Sequence, residues 1–125
     1  MKDCIFCKII AGEIPSKKVY EDDKVLVIMD IDPKADGHTL VIPKKHVTDF
    51  TEMSDEDVLM VNGIAKKVGL KIVDRLKARG ITFAVNYGDS QAVKHYHLHL
   101  LPNYTIEEMS GRTVEEIYDI IKGDF

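Results

Sequence analysis

The chain contains no tryptophan, and among its 125 residues there are two cysteines and four prolines. Two cysteines cannot form the dense disulfide framework that stabilises small secreted domains. Long apolar runs are missing too: none approaches the ~18 residues that a membrane helix needs. The opening stretch MKDCIFCKIIAGEIPS carries no apolar signal core and no small-residue cleavage site, so the expected compartment is the cytoplasm, with Cys4 and Cys7 reduced. Positive charge is in deficit, with 17 Lys and Arg against 21 Asp and Glu and a net charge of −4. A field of that sign does not hold nucleic acid, so an anionic ligand needs local attractive groups. Neither G-x-x-x-x-G-K-[ST] nor G-x-G-x-x-G occurs, which removes the P-loop and the Rossmann turn as phosphate sites.

What remains is an ordinary globular composition, 45% apolar and 30% charged. The length suits one domain spanning 1–125. Residues 3–11 are expected to form a short helix, with Asp3 as cap and Gly12 as stop, placing Cys4 and Cys7 on one face. Residues 18–21, 24–31 and 38–44 read as strands. Ser54 and Asp57 form a capping pattern for a long helix. Its buried stripe is Val58, Val61, Ala65, Val68, Ile72 and Leu76, and Gly80 is the expected stop. Strands follow at 81–87 and 93–101. Thr113 and Glu116 make a second capping box, opening a terminal helix through Ile121. The order implies an α+β fold: a five-stranded, largely antiparallel sheet with one long helix and short terminal helices.

Three of the five histidines stand at 95, 97 and 99. On a strand, alternate side chains share a face about 7 Å apart. The three imidazoles would then project together, with Tyr96, Leu98 and Leu100 packed on the other side. Such a row can be a solvated face, a metal site or a site for phosphorus chemistry. Imidazole is a nucleophile near neutral pH, and its protonated form donates to phosphate oxygens. Cys4-Ile5-Phe6-Cys7 is a C-x-x-C, open to reading as a redox pair, half a zinc site or two buried thiols. No thioredoxin-like βαβ setting accompanies it.

His95-Tyr96-His97-Leu98-His99-Leu100-Leu101 resembles the motif His-φ-His-φ-His-φ-φ, φ apolar, of the histidine triad family. IFCKIIAGEIPSKKVYEDDKVL (5–26) and DIDPKADGHTLVIPKKH (30–46) resemble the family's N-terminal and central segments, so the resemblance covers nearly the whole chain. It implies a nucleotide hydrolase or nucleotidyl transferase. His97 matches the nucleophile that attacks the α-phosphorus and forms a nucleotidyl-histidine, which water resolves to a nucleoside monophosphate. His99 matches the phosphate donor, His38 a supporting histidine, and Asn86 an amide near the scissile bond. Asp30 matches the carboxylate on the ribose hydroxyls, and Phe6, Ile9 and Ile31 match apolar residues around a purine base. Donors fixed on the non-bridging oxygens lower the barrier for such an attack. His99, backbone N–H groups of the loop GDSQAV, Lys94 and the Lys44–Lys45 pair are candidates.

The same resemblance implies a structural zinc on Cys4, Cys7, His46 and His95, no organic cofactor, and a homodimer. The sequence departs from the family pattern before the triad. Gln91, Ala92 and Val93 take the substrate-loop positions, but Ser90 replaces a glycine and Ala92 a hydroxyl residue, which bears on the leaving group. A C-terminal tryptophan used by some branches is absent. Within the enzyme reading, nucleoside phosphoramidates and dinucleoside polyphosphates are both candidate substrates. Competing readings are a nucleotide-binding regulatory module with little turnover, and a metalloenzyme with the triad as its catalytic zinc site.

Overall fold

The computed structural model describes residues 3–104 and 112–123. The N-terminal helix α1 spans Ile5–Ile10, and strands β1 Lys18–Glu21, β2 Val25–Met29 and β3 Thr39–Pro43 follow. A 3-10 turn at Phe50–Glu52 leads into helix α2, Asp55–Leu76. Strands β4 Gly80–Val85 and β5 Leu98–Asn103 and helix α3 Val114–Ile121 complete the described chain. The strands form one sheet in the order β1-β2-β3-β5-β4. Every pairing is antiparallel, so the sheet is antiparallel throughout.

The two faces of the sheet are covered unequally. Strand alternation sends Val25, Val27, Met29, Val41, Leu98 and Leu100 to a large core under α2 and α3. α2 meets it with Val61, Ala65, Val68, Ile72 and Leu76, all buried. Val58, expected to begin that stripe, is only half-buried. The opposite face carries a small core in which Leu26, Ile28, Leu40 and Ile42 meet Phe6 and Ile9 of α1. The site lies on this thinly covered side.

Several boundaries differ from the sequence expectation. α1 is capped by Cys4 rather than Asp3: the Cys4 Sγ accepts from the Cys7 N–H at 3.3 Å. α2 starts at Ser54, whose hydroxyl accepts from the Asp57 N–H. It stops at Leu76, three residues earlier than Gly80 would place it, with Lys77 left-handed at φ 56°. Leu76 is the last stripe residue to reach the core, and Gly80 instead opens β4. β2 ends at Met29, which leaves Asp30 and Ile31 beyond the strand. β5 begins only at Leu98, where its pairing with β3 starts at Val41. His95 and His97 therefore precede the ladder. The capping box of Thr113 and Glu116 is present with both bonds. Among the described residues no helix is long and apolar enough to cross a membrane.

Candidate active site and metal centre

Although only His99 lies in the ladder, the period-two alternation continues through residues 95–97. Tyr96 and Leu98 enter the core under α2, while the three imidazoles gather on the α1 side. The His97 and His99 rings lie 4.9 Å apart between centroids. Phe6 stands edge-on to His97 at 5.0 Å and to His95 at 5.8 Å. His38 precedes β3, and its Nε2 is 2.9 Å from His99 Nδ1. Asn86 follows β4, and its side-chain amide is 3.4 Å from His99 Nε2.

The partners of each ring fix where its proton sits. His97 Nδ1 is 2.8 Å from the His95 carbonyl oxygen. A carbonyl only accepts, so Nδ1 carries the proton and Nε2 keeps its lone pair. The Lys34 backbone N–H donates to His38 Nδ1 at 3.0 Å. His38 must therefore donate from Nε2, with His99 Nδ1 and the Asp30 Oδ2, 3.4 Å away, as its acceptors. His99, accepting at Nδ1, carries its proton on Nε2, 3.4 Å from the Asn86 side-chain nitrogen, and a flip of that amide presents Oδ1 as the acceptor. One chain of donors thus runs from the Lys34 amide through two imidazoles to the His99 Nε2–H beside His97.

Burial keeps these rings neutral. Desolvation holds His97 and His38 below the ordinary histidine value, against the raising effect of the Asp30 carboxylate. Desolvation, with His97 and His38 adding to it, pushes His99 down to about 4. A neutral His97 with a free Nε2 is a competent nucleophile, and a neutral His99 can only donate from Nε2.

Behind this row, Cys4, Cys7, His46 and His95 bring four ligand atoms within 4.8 Å of one another. Cys4 Sγ is 3.3 Å from His95 Nδ1, Cys7 Sγ is 3.3 Å from His46 Nδ1, and the two Nδ1 atoms are 3.1 Å apart. A tetrahedral zinc with thiolate and imidazole ligands separates its donors by ~3.3–3.8 Å. His95 Nε2 donates to the Pro43 carbonyl at 2.8 Å, which leaves Nδ1 as a lone pair aimed into the cluster. Two thiols and two imidazole nitrogens converging there fit a closed Cys₂His₂ site, with His95 as its buried member.

The substrate positions taken from the sequence fall into distinct settings. Asp30 is half-buried; besides His38, its Oδ1 accepts from the Asp32 N–H. Phe6 and Ile9 are buried in the small core, whereas Ile31 is 91% exposed. Gln91 is buried and turned inward, its amide donating to the Thr48 carbonyl at 2.6 Å. Its backbone N–H bonds Gly88. Ala92 and Val93 line a cleft of about 550 Å³ together with His46 and Lys94. The lysines do not form a free cationic patch. Lys44 pairs with Glu21 at 2.8 Å, Lys45 lies 4.0 Å from Asp57, and Lys94 donates to the carbonyls of Gly88 and Gln91. Lys94 thus braces the loop before the triad, a role that sequence spacing did not signal. Lys34, which orients His38 through its amide, was equally invisible, because a backbone donor leaves no side-chain signature.

The HIT domain family model matches residues 11–106. The chain belongs to the histidine triad (HIT) family. Membership places it in a superfamily of nucleotide-binding hydrolases and transferases. An uncharacterised HIT-like protein of Methanocaldococcus jannaschii is 41% identical over 130 residues, spanning 96% of this chain and 99% of the relative. Protein hit of Bacillus subtilis is 45% identical over 105 residues, spanning 82% and 72%. A zinc-bound histidine triad family protein from Mycobacterium smegmatis superposes with a TM-score of 0.87 at 35% identity, covering 97% of this chain and 91% of that one. The five-stranded antiparallel sheet flanked by helices is the fold this chain shares with that zinc-bound histidine triad protein.

Proposed function

We propose that this protein hydrolyses or transfers nucleotidyl groups at an α-phosphate, with His97 as nucleophile. The observation that carries the reading is the bond from His97 Nδ1–H to the His95 carbonyl, 2.8 Å long, which leaves Nε2 unprotonated. Nε2 attacks the α-phosphorus of a purine nucleotide, and the bond from phosphorus to the leaving group breaks. The leaving group departs with its electron pair and takes a proton from solvent. Water then attacks the phosphorus of the nucleotidyl-histidine, loses a proton, and returns His97 with release of the nucleoside monophosphate. His99 Nε2–H, supported by His38, donates to a non-bridging oxygen as charge builds there. Asn86, with its amide flipped to turn Oδ1 toward His99, holds the same N–H before substrate arrives.

Asp30, at the rim of the row, suits the ribose hydroxyls, and exposed Ile31 beside it offers a base the apolar cover that the chain itself does not use. Phe6 backs the nucleophile. The donor set of Cys4, Cys7, His46 and His95 suits a structural zinc, which would cross-link these residues and offer no open position to substrate, since protein fills all four positions. The reading includes a cytoplasmic homodimer. In its support, β4 is a sheet edge, and Phe83 and Val85 on it are each 42% exposed, with Leu59 and Leu70 of α2 more so.

The test is AMP release from adenosine 5′-phosphoramidate and from a diadenosine polyphosphate, by wild type and His97→Ala. Release by wild type alone supports the mechanism, and the faster substrate names the leaving-group class. Nucleotide binding without release by either protein supports a regulatory module and refutes the role of His97.

A further inference from the structure

The nucleophile stands where the sheet no longer holds the chain. The β3–β5 pairing runs from Thr39–Leu100 to Val41–Leu98 and stops, and the β4–β5 pairing likewise ends at Leu98. One backbone bond anchors the segment beyond it, from the Tyr96 N–H to the Val47 carbonyl at 2.8 Å. The carbonyl that sets the His97 proton belongs to His95. That carbonyl shares a rigid peptide unit with the Tyr96 N–H, so its direction is set by the bond to Val47 at one end and by the hold on residue 95 at the other.

His95 is gripped at both ring nitrogens. Nε2–H donates to Pro43 at the end of β3, and Nδ1 faces Cys4, Cys7 and His46. The ring is fully buried, and Phe6, carried between the two cysteines, lies edge-on to both His95 and His97. Fixing the ring fixes the Cα of residue 95, the second of the two points that hold the peptide carrying this carbonyl.

Resting on the reading of His97 as nucleophile, we infer that His95 is a positioning residue: the Cys4–Cys7–His46–His95 cluster, when it holds its cation, replaces the missing ladder and locks His97 in the Nδ1–H form. The cluster then controls the reactivity of the nucleophile as well as the fold. With the cation gone, Nδ1 of His95 loses its fixed partner, the peptide of residue 95 is left on the Tyr96–Val47 bond and can tilt about it, and the His97 proton redistributes between Nδ1 and Nε2.

The experiment reads the His97 tautomer directly, without substrate, by long-range ¹H–¹⁵N spectra of ¹⁵N-histidine protein, assigned by the signals missing in His97→Asn. Zinc is titrated out of wild type with a chelator at low temperature, and each sample is checked for fold by circular dichroism. His46→Ala and the rescuing variant His46→Cys, which restores a four-ligand set, are measured in parallel. The expected result is a single Nδ1–H pattern in zinc-loaded wild type and His46→Cys. In stripped protein and His46→Ala, a mixed pattern should appear while the fold persists. Turnover of adenosine 5′-phosphoramidate should fall ~10–100-fold in kcat with KM little changed. A folded, zinc-free protein that keeps the pure Nδ1–H pattern overturns the inference. So does loss of the pattern only together with the fold, which makes the cluster a staple and nothing more. Because the spectra need no turnover, failure of the hydrolase reading shows separately, as an intact tautomer pattern with no AMP release.

Discussion

Two glycines with nearly the same backbone angle separate conformational strain from crowding. Gly12, just past α1, has φ +83°, and a Cβ built there meets nothing within 4 Å. Gly37, in the turn before His38, has φ +85°, and its Cβ would lie 2.5 Å from Leu76 Cδ1, 3.2 Å from Pro102 Cγ and 3.3 Å from Ile72 Cγ2. Alanine at Gly12 incurs the left-handed penalty alone, ~1–2 kcal/mol. Alanine at Gly37 incurs that penalty and, in addition, must push apart the end of α2 and the proline of β5, a further ~1–3 kcal/mol. At ~4 °C per kcal/mol for a chain of this size, the expected drop in Tm is ~4–8 °C for Gly12→Ala and ~8–20 °C for Gly37→Ala. Thermal unfolding followed by circular dichroism on the two variants and wild type measures it. Equal losses would refute the steric argument, and so would a larger loss at Gly12.

Acid should weaken the fold through its buried imidazoles. The unfolded chain takes up a proton at His99 near pH 6.5, while the folded chain refuses it until about 4. That contribution is complete above 6.5 and is lost as pH falls through this window, by up to ~1.4 kcal/mol per pH unit; urea titrations of wild type and His99→Gln between pH 7 and 4.5 should show a flatter profile in the variant. Chelation should lower the Tm of wild type by ~10 °C, corresponding to ~2.7 kcal/mol for zinc at a hundred times its Kd, and leave Cys4→Ser/Cys7→Ser unmoved in a scanning fluorimetry comparison. Val85→Glu, on the exposed edge strand, should convert the proposed dimer to monomer in light scattering while leaving the core residues untouched.

The fold was legible wherever local chemistry dictates structure. Ser54 and Thr113 announce their helices because a hydroxyl at an N-cap satisfies a free backbone donor, and both do so here. The strands were legible because Val, Leu and Ile alternate between two cores. Boundaries decided by tertiary contact were not. Lys77 ends α2 in a conformation that glycine usually takes, since Leu76 is the last residue the core can use. Asp30 looked like a carboxylate within a strand, but the ladder stops one residue before it. In the site, the alternation of His95, His97 and His99 correctly placed three rings on one face. It could not reveal that only one of them sits in a hydrogen-bonded ladder. Nor could it show that the protons of the row are set by main-chain groups of Lys34 and His95, because every residue type carries the same amide and carbonyl.

The unequal cover of the two sheet faces divides the molecule into regions of different resilience. On one side, two helices and, among the described residues, sixteen buried side chains form the larger core. On the other, a six-residue helix supplies two buried side chains to a core of six. That helix is too short to persist once detached. The proposed active site therefore lies on the side expected to open first, with α1 as a latch whose free energy of opening is a fraction of the whole. Amide protons of α1 should exchange with solvent ahead of those in α2, and a cation on its two cysteines slows the first without changing the order.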